Sequence, residues 1–120
     1  MKTILVVDDE LANAEVLCLI LEDEGYRVGV AANGRVGLER VLELKPDLVI
    51  LDFMMPILNG GEMGTALRAN PATRHIRIVM NSSLPEAAVR AHFSDYDRFL
   101  RKPYNVDTAL EVIASLLSAE

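Results

Sequence analysis

The sequence predicts an open α/β domain in which five parallel strands alternate with five helices, and three observations lead to this fold class. Apolar runs of strand length alternate with segments of helical period along all 120 residues. The run at 48–52 continues through four apolar residues before its first polar one, as a strand buried on both faces does. No internal repeat or low-complexity tract breaks the alternation, so residues 1–120 are expected to form one domain.

The first half of the chain supplies two strand–helix pairs that lead into this central strand. A strand at 3–7 precedes a helix at 11–24, whose apolar stripe is expected to bury the thiol of Cys18. A strand at 26–32 precedes a helix that must end before Pro46, because the residue before a proline avoids helical backbone.

The second half repeats the alternation but begins with a weaker helix. Gly61 and Gly64 each cost a helix roughly 1 kcal/mol relative to alanine, so the helix predicted at 61–69 depends on tertiary packing. The remaining elements are predicted as a strand at 76–80, a helix at 85–93, a strand at 98–101 and a helix at 106–117. This order is typical of a parallel sheet covered by helices on both faces.

Composition narrows the classes of function. The apolar content of 51% supports a real core, yet no apolar run approaches the roughly 20 residues that span a bilayer. One cysteine cannot form an internal disulfide, which suits a reducing compartment. The net charge of −6 disfavours binding to a nucleic-acid backbone. We therefore expect a cytoplasmic domain that binds neither membrane nor nucleic acid directly.

Polar side chains stand at or just after the ends of four predicted strands. They are Asp8, Asp9, Asp52, Ser82 and Lys102. Each alone has a common explanation as a helix cap or a solvated turn. The carboxyl ends of parallel strands meet at one edge of a sheet, however, so these side chains are expected to lie together where such sheets bind ligands.

The three aspartates predict a magnesium site. Carboxylates held close together repel one another unless a cation joins them, and oxygen ligands with open water positions suit Mg²⁺ best. The sequence lacks the alternating ligands of a calcium loop, and one cysteine with two separated histidines does not make a zinc site. With Lys102 to neutralise phosphoryl oxygens and Ser82 to donate a hydrogen bond, such a site suits phosphoryl transfer onto Asp52.

Over the whole chain these motifs resemble the receiver domain of two-component response regulators. The matching motifs are Asp8-Asp9-Glu10, Leu51-Asp52-Phe53-Met54-Met55-Pro56 with Asn59-Gly60, Ser82, and Phe99-Leu100-Arg101-Lys102-Pro103. The resemblance implies a flavodoxin-like (βα)5 doubly wound domain with a five-stranded parallel sheet. It also implies that a sensor histidine kinase or a phosphotransfer protein donates a phosphoryl group to Asp52. Mg²⁺-dependent self-phosphorylation and slow autodephosphorylation are expected, rather than the turnover of a classical enzyme.

The resemblance also assigns roles to single residues. The implied metal ligands are Asp9, Asp52 and the backbone carbonyl of Met54, with Asp8 acting largely through water. Lys102 would pair with the phosphoryl oxygens, and the Lys102–Pro103 peptide would be cis. Ser82 and Phe99 would form a switch, in which Ser82 moves toward the phosphoryl group and Phe99 rotates into the space behind it.

We expect the surface of the fourth helix, fifth strand and fifth helix to transmit the phosphorylation signal, because an effector or a second copy of the chain would dock there. The candidate surface comprises Pro85, Val89, His92, Phe99, Arg101, Val106 and Leu110. Two departures from the family pattern fall near it. Asn81 replaces an apolar residue, and Asp95-Tyr96 replaces a small Gly-Ala pair.

Two alternatives of other classes remain: a degenerate receiver, and a flavodoxin-like cofactor binder or a phosphatase. A degenerate receiver that serves only as a protein-interaction module would have lost part of the polar set, which is intact here. A flavodoxin-like cofactor binder would carry a hydroxyl- and glycine-rich loop after the first strand, where this chain is acidic. A phosphatase with an aspartyl nucleophile would carry a second acid two residues beyond it, where this chain has Met54.

Overall fold

Five strands and five helices alternate in the computed structural model, which describes residues 1–118. The strands are β1 (Thr3–Val7), β2 (Arg27–Ala31), β3 (Leu48–Asp52), β4 (Arg77–Ser82) and β5 (Arg98–Arg101). The helices are α1 (Leu11–Asp23), α2 (Gly34–Leu44), α3 (Gly60–Ala69), α4 (Glu86–Arg90) and α5 (Val106–Leu117). All strands pair in parallel in the order β2-β1-β3-β4-β5, which confirms the predicted doubly wound fold.

Each face of the sheet packs on its own set of helices. On one face Ile50 packs in a cluster with Ile113 of α5 and with α1. On the other face its neighbour Leu51 packs with Met63 of α3, and with α2 and α4. Every residue of β1 and of β3 is buried, which explains why both strands are apolar apart from Thr3 at the start of β1 and Asp52 at the end of β3.

Helix α3 forms despite its glycines because its first turn is capped and its packing needs them. The side chain of Asn59 accepts a hydrogen bond from the Glu62 N–H at 2.8 Å, and the Glu62 carboxylate accepts one from the Asn59 N–H at 3.0 Å. A Cβ atom at Gly60 would lie 2.5 Å from the backbone oxygen of Asp52. Glycine therefore lets α3 begin directly against the end of the central strand.

Two elements differ from their predicted bounds by two residues or more at one end, and the others for which both bounds were predicted agree to within one residue at each end. Strand β4 extends to Ser82, so this residue belongs to the sheet rather than to the following loop. Helix α4 covers only Glu86–Arg90, with Pro85 as its N-cap, and is shorter than the predicted helix at 85–93. The chain turns after Arg90 so that Phe93 can pack into the core, where it is 7% exposed.

Two side chains lie elsewhere than predicted. The predicted output surface includes Val89, but this side chain is fully buried, because the short helix α4 can cover the core only with its one large apolar residue. Cys18 is partly exposed rather than buried, because it lies beside the buried stripe of α1 and not on it. Among residues 1–118, no helix has both the length and the apolar character needed to cross a membrane.

Candidate functional site

Two strands bring three acidic side chains together at the carboxyl edge of the sheet. Asp8 directly follows β1, and Asp52 is the last residue of β3. Both are buried, with 8% and 4% of their surfaces exposed, while Asp9 is exposed. One carboxylate oxygen from each of the three lies within 4.8 Å of the others. The structure thus assembles the acidic cluster that parallel strand ends predict.

Lys102, the residue after β5, lies between two of these carboxylates. Its Nζ is 3.3 Å from Oδ2 of Asp52 and 3.6 Å from Oδ2 of Asp8. The other oxygen of each carboxylate faces backbone: Asp8 accepts from the Glu10 N–H at 2.9 Å, and Asp52 from the Met54 N–H at 3.4 Å. The two aspartates are therefore held in place from both sides.

The charges in this cluster shift one another's protonation. The pKa of Asp52 is raised to about 6, mainly by burial; the charge of Lys102 opposes this rise and the charge of Asp8 adds to it. Burial alone would lower the pKa of Lys102, but the charges of Asp52 and Asp8 outweigh it and raise that pKa. The site holds more negative than positive charge, so a further cation would stabilise it.

The donor set fits Mg²⁺. It consists of hard carboxylate oxygens, two held by backbone N–H groups and one from the exposed Asp9, which leaves the site open to water. Met54 lies beside the cluster through its N–H contact to Asp52, and the role of its backbone carbonyl stays a prediction. The Lys102–Pro103 peptide is cis, as the resemblance implies.

Ser82 and Phe99 lie on neighbouring strands and on one face of the sheet. The register pairs Met80 with Phe99, and Ser82 follows two residues later on β4, so its side chain points to the same face. Ser82 is fully buried, and its hydroxyl accepts a hydrogen bond from the Leu84 N–H at 3.0 Å. Phe99 packs against Tyr96 with ring centroids 6.0 Å apart. Their switch roles remain predictions.

Sequence reasoning assigned no role to Tyr104, which the structure places beside the site. Burial raises the pKa of its phenol, and the charge of Lys102 opposes that rise. Its ring lines a cavity together with Asp8 and Lys102. The feature of the sequence that could have indicated its place near the site is its position directly after the Lys102-Pro103 pair.

The sequence matches the family described as the response regulator receiver domain over residues 4–114. The chain belongs to this family. It is a receiver domain of the two-component kind, whose general role is to accept a phosphoryl group. Neither the protein-interaction module nor the cofactor binder is favoured over this assignment.

Three curated relatives of this receiver domain are larger regulators. The DNA-binding response regulator MtrA of Mycobacterium tuberculosis is 35% identical over 103 residues, covering 86% of this chain and 45% of MtrA. RpaA of Synechocystis, named as a DNA-binding transcriptional regulator, is 32% identical, covering 98% and 49%. The response regulator ArlR of Staphylococcus saprophyticus is 33% identical, covering 98% and 53%. The chain spans about half the length of these relatives.

Two solved structures resemble the receiver domain closely. A receiver domain of a signal transduction histidine kinase from Syntrophus aciditrophicus is 32% identical with a TM-score of 0.90, covering 98% of this chain and 91% of that one. The response regulator TrrA of Thermotoga maritima, solved in complex with Mg²⁺ and BeF, is 32% identical with a TM-score of 0.87, covering 97% and 99%. Both similarities extend over almost the whole sheet and its helices.

Proposed function

We propose that Asp52 accepts a phosphoryl group from a sensor histidine kinase or a phosphotransfer protein, in a reaction that requires Mg²⁺. One observation carries this proposal. The Asp52 carboxylate ends the central strand within an acidic cluster, and the Lys102 ammonium lies 3.3 Å from one of its oxygens. A nucleophile, a cation for the phosphoryl oxygens and a metal-binding oxygen set thus occupy one crevice.

In the proposed transfer, an oxygen of ionised Asp52 attacks the phosphorus of a phosphohistidine. The new O–P bond forms as the P–N bond breaks, and the electron pair of that bond returns to the imidazole nitrogen. The ammonium of Lys102 offsets negative charge on the transferred group. The Met54 N–H, which contacts the other carboxylate oxygen, keeps the carboxylate oriented.

Asp8, Asp9, Asp52 and the Met54 carbonyl would hold the metal ion. Bound Mg²⁺ supplies positive charge that neutralises oxygens of the phosphoryl group. It would also favour the ionised form of Asp52, whose pKa of about 6 lies above its usual range without a metal. The same residues support self-phosphorylation from small phosphodonors and slow hydrolysis of the product.

We further propose that the surface of α4, β5 and α5 transmits the phosphorylation signal by binding an effector or a second copy of the chain. The surface excludes Val89 and consists of Pro85, His92, Phe99, Arg101, Val106 and Leu110. MtrA and RpaA are named as DNA-binding, but the net charge of −6 here argues that this domain does not contact DNA itself. A cytoplasmic location is in keeping with a partner kinase and with the single cysteine.

Intact-protein mass spectrometry after incubation with acetyl phosphate tests the proposal. The unmutated protein should gain one phosphoryl group with Mg²⁺ and none with a chelator. Asp52→Asn should gain none, whereas Asp23→Asn, which changes an exposed aspartate of α1, should be labelled normally. Labelling of Ser82 or of a histidine, or undiminished labelling of Asp52→Asn, would overturn the assignment.

A further inference from the structure

Two cavities adjoin each other at the amino edge of the sheet, opposite the acidic cluster. The first has a volume of about 340 Å³ and lies between the end of α2 and the loop that joins α3 to β4. The second, of about 370 Å³, lies between that loop and the segment before β5. His75 and Ile76 line both cavities, so the two share a wall. The length of β4 separates this wall from Ser82 by roughly 16 Å.

The first cavity is mainly apolar, and none of its lining residues is acidic. The side chains of Val41, Leu42, Pro46 and Ile76 line it, and Lys45 adds a positive charge. Lys45 forms no ion pair with any residue of the described chain. The volume and the apolar lining are typical of sites that bind small organic molecules. This apolar cavity therefore accommodates an apolar body and favours a negative charge beside it.

The second cavity is polar and carries an excess of positive charge. Three guanidinium groups line it, those of Arg68, Arg74 and Arg77, together with the carboxylates of Asp95 and Asp97. Arg68 pairs with both carboxylates, at 3.7 Å for Asp95 and 3.1 Å for Asp97. Arg77 lies 3.6 Å from Asp97, whereas Arg74 forms no ion pair among residues 1–118. This polar cavity therefore has an exposed cation with no counter-ion of its own.

The wall between the two cavities is held in place by hydrogen bonds. The Arg68 guanidinium donates to the backbone oxygens of Arg74 at 2.7 Å and of Ile76 at 2.6 Å, on either side of His75. The buried Thr73 hydroxyl donates to the backbone oxygen of Leu67 at 2.8 Å. A wall fixed before binding loses little freedom when a ligand arrives, which favours affinity.

We propose that the two cavities together bind a small phosphate monoester with an apolar body. The body would pack in the apolar cavity on Leu42, Pro46 and Ile76, and the phosphate would meet Arg74 and Arg77 in the polar cavity. A phosphate carries about −1.5 to −2 charge and three acceptor oxygens, and guanidinium groups bind such oxygens in pairs. Asp52 takes no part, so the domain would have a ligand site independent of phosphoryl transfer.

Amide NMR titration in the presence of a chelator tests the proposal, because removal of Mg²⁺ keeps phosphoryl transfer out of the measurement. The probes are phenyl phosphate, inorganic phosphate and phenol, which represent the whole ligand and its two halves. Phenyl phosphate should shift the amides of Leu42, Thr73, His75 and Arg77. It should bind roughly tenfold or more tighter than either half, because both cavities contribute to its affinity. Asp52→Asn should bind it equally well.

Two variants separate the contributions of the two cavities. Arg74→Gln should weaken the binding of both phosphates roughly tenfold, while Arg98→Gln, at an exposed arginine that lines neither cavity, should not. Ala72→Leu adds volume at the rim of the apolar cavity and should abolish the advantage of phenyl phosphate over inorganic phosphate. Ala114→Leu, at an exposed position of α5, should retain that advantage.

Three results would overturn the proposal. The first is equal affinity for phenyl phosphate and inorganic phosphate in the unmutated protein, which needs no variant to fold. The second is a set of shifts centred on the acidic cluster or spread over the surface, and the third is the absence of binding by phenyl phosphate. Unchanged binding in Arg74→Gln would likewise exclude the polar cavity as the phosphate site.

Discussion

Asp52 holds a carboxyl group where ionisation is costly. Its side chain is 4% exposed and lies near Asp8, and burial is the main cause that raises its pKa to about 6. Such a group binds its proton more tightly in the folded than in the unfolded state. Ionisation of Asp52 therefore lowers the free energy of unfolding, and this penalty is complete above about pH 6. It disappears as the pH falls toward about 4, the usual pKa of aspartate.

We expect Asp52→Asn to stabilise the metal-free protein at pH 7.5. The free energy of unfolding should rise by about 1 to 3 kcal/mol, since each pKa unit corresponds to about 1.4 kcal/mol. The gain should shrink as the pH falls through 6 to 4.5. Urea unfolding at both pH values measures it, with the exposed Asp95→Asn as the control. An equal gain at the two pH values would show that burial of the charge is not its cause.

At the scale of elements, the short helix α4 is held by a residue outside it. Tyr96, which precedes β5, donates its hydroxyl hydrogen bond to Glu86 and accepts one from Arg90 at 3.3 Å. The Arg90 guanidinium also lies 5.6 Å from the centre of the Tyr96 ring, and that ring packs against Phe99. A tyrosine where the family usually has a small residue thus links α4 to the proposed switch aromatic.

Tyr96→Phe should loosen α4 while keeping the ring contacts. The lost hydroxyl bonds are worth about 1 kcal/mol, so amide exchange at Ala91 and Phe93 should accelerate several-fold with little change in global stability. Hydrogen exchange followed by NMR measures this. Tyr26→Phe, in the cluster on the other face of the sheet, is the matched control. Unchanged protection of α4 in Tyr96→Phe would show that the hydroxyl does not hold the helix.

At the scale of the whole molecule, a network of hydrogen bonds holds the amino ends of β4 and β5, whereas the acidic cluster lies at the carboxyl edge of the sheet. The Arg68 guanidinium donates to the backbone oxygens of Arg74 and Ile76 at 2.7 and 2.6 Å, and to Asp97 at 3.1 Å. Asp97 also accepts from the Ile78 N–H at 2.7 Å. A rearrangement caused by a new charge at Asp52 is therefore expected at Ser82 and Phe99 rather than at this network.

Beryllofluoride with Mg²⁺ should shift amide resonances well beyond the acidic cluster. A phosphoryl group adds about −1.5 to −2 charge and offers acceptor oxygens toward which Ser82 is expected to move, which strains the contact of its hydroxyl with the Leu84 N–H. A complete change of state requires on the order of 5 kcal/mol of preference for the active packing. NMR should therefore show shifts at Phe99 and in α4 and α5. Ser82→Ala should lose these distant shifts and keep those near Asp52. Shifts confined to the loops around Asp9, Asp52 and Lys102 in the unmutated protein would exclude a propagated switch.

The fold and the grouping of Asp8, Asp9 and Asp52 could be predicted from the sequence by itself. Strand and helix periods are local properties, and a parallel sheet must bring its strand ends to one edge. The strand β3 and its terminal Asp52 therefore follow from a dozen consecutive residues. The receiver family was also identifiable, because its motifs lie at the ends of these strands.

Only the tertiary structure decided how particular side chains meet. Helix α4 ends early because Phe93 turns into the core, and Val89 is buried by the same packing. The pKa of Asp52 depends on burial by several elements, and the buried side-chain oxygen of Asn81 has no hydrogen-bond partner among the described residues. These features arise from residues far apart in the chain, so no local pattern in the sequence records them.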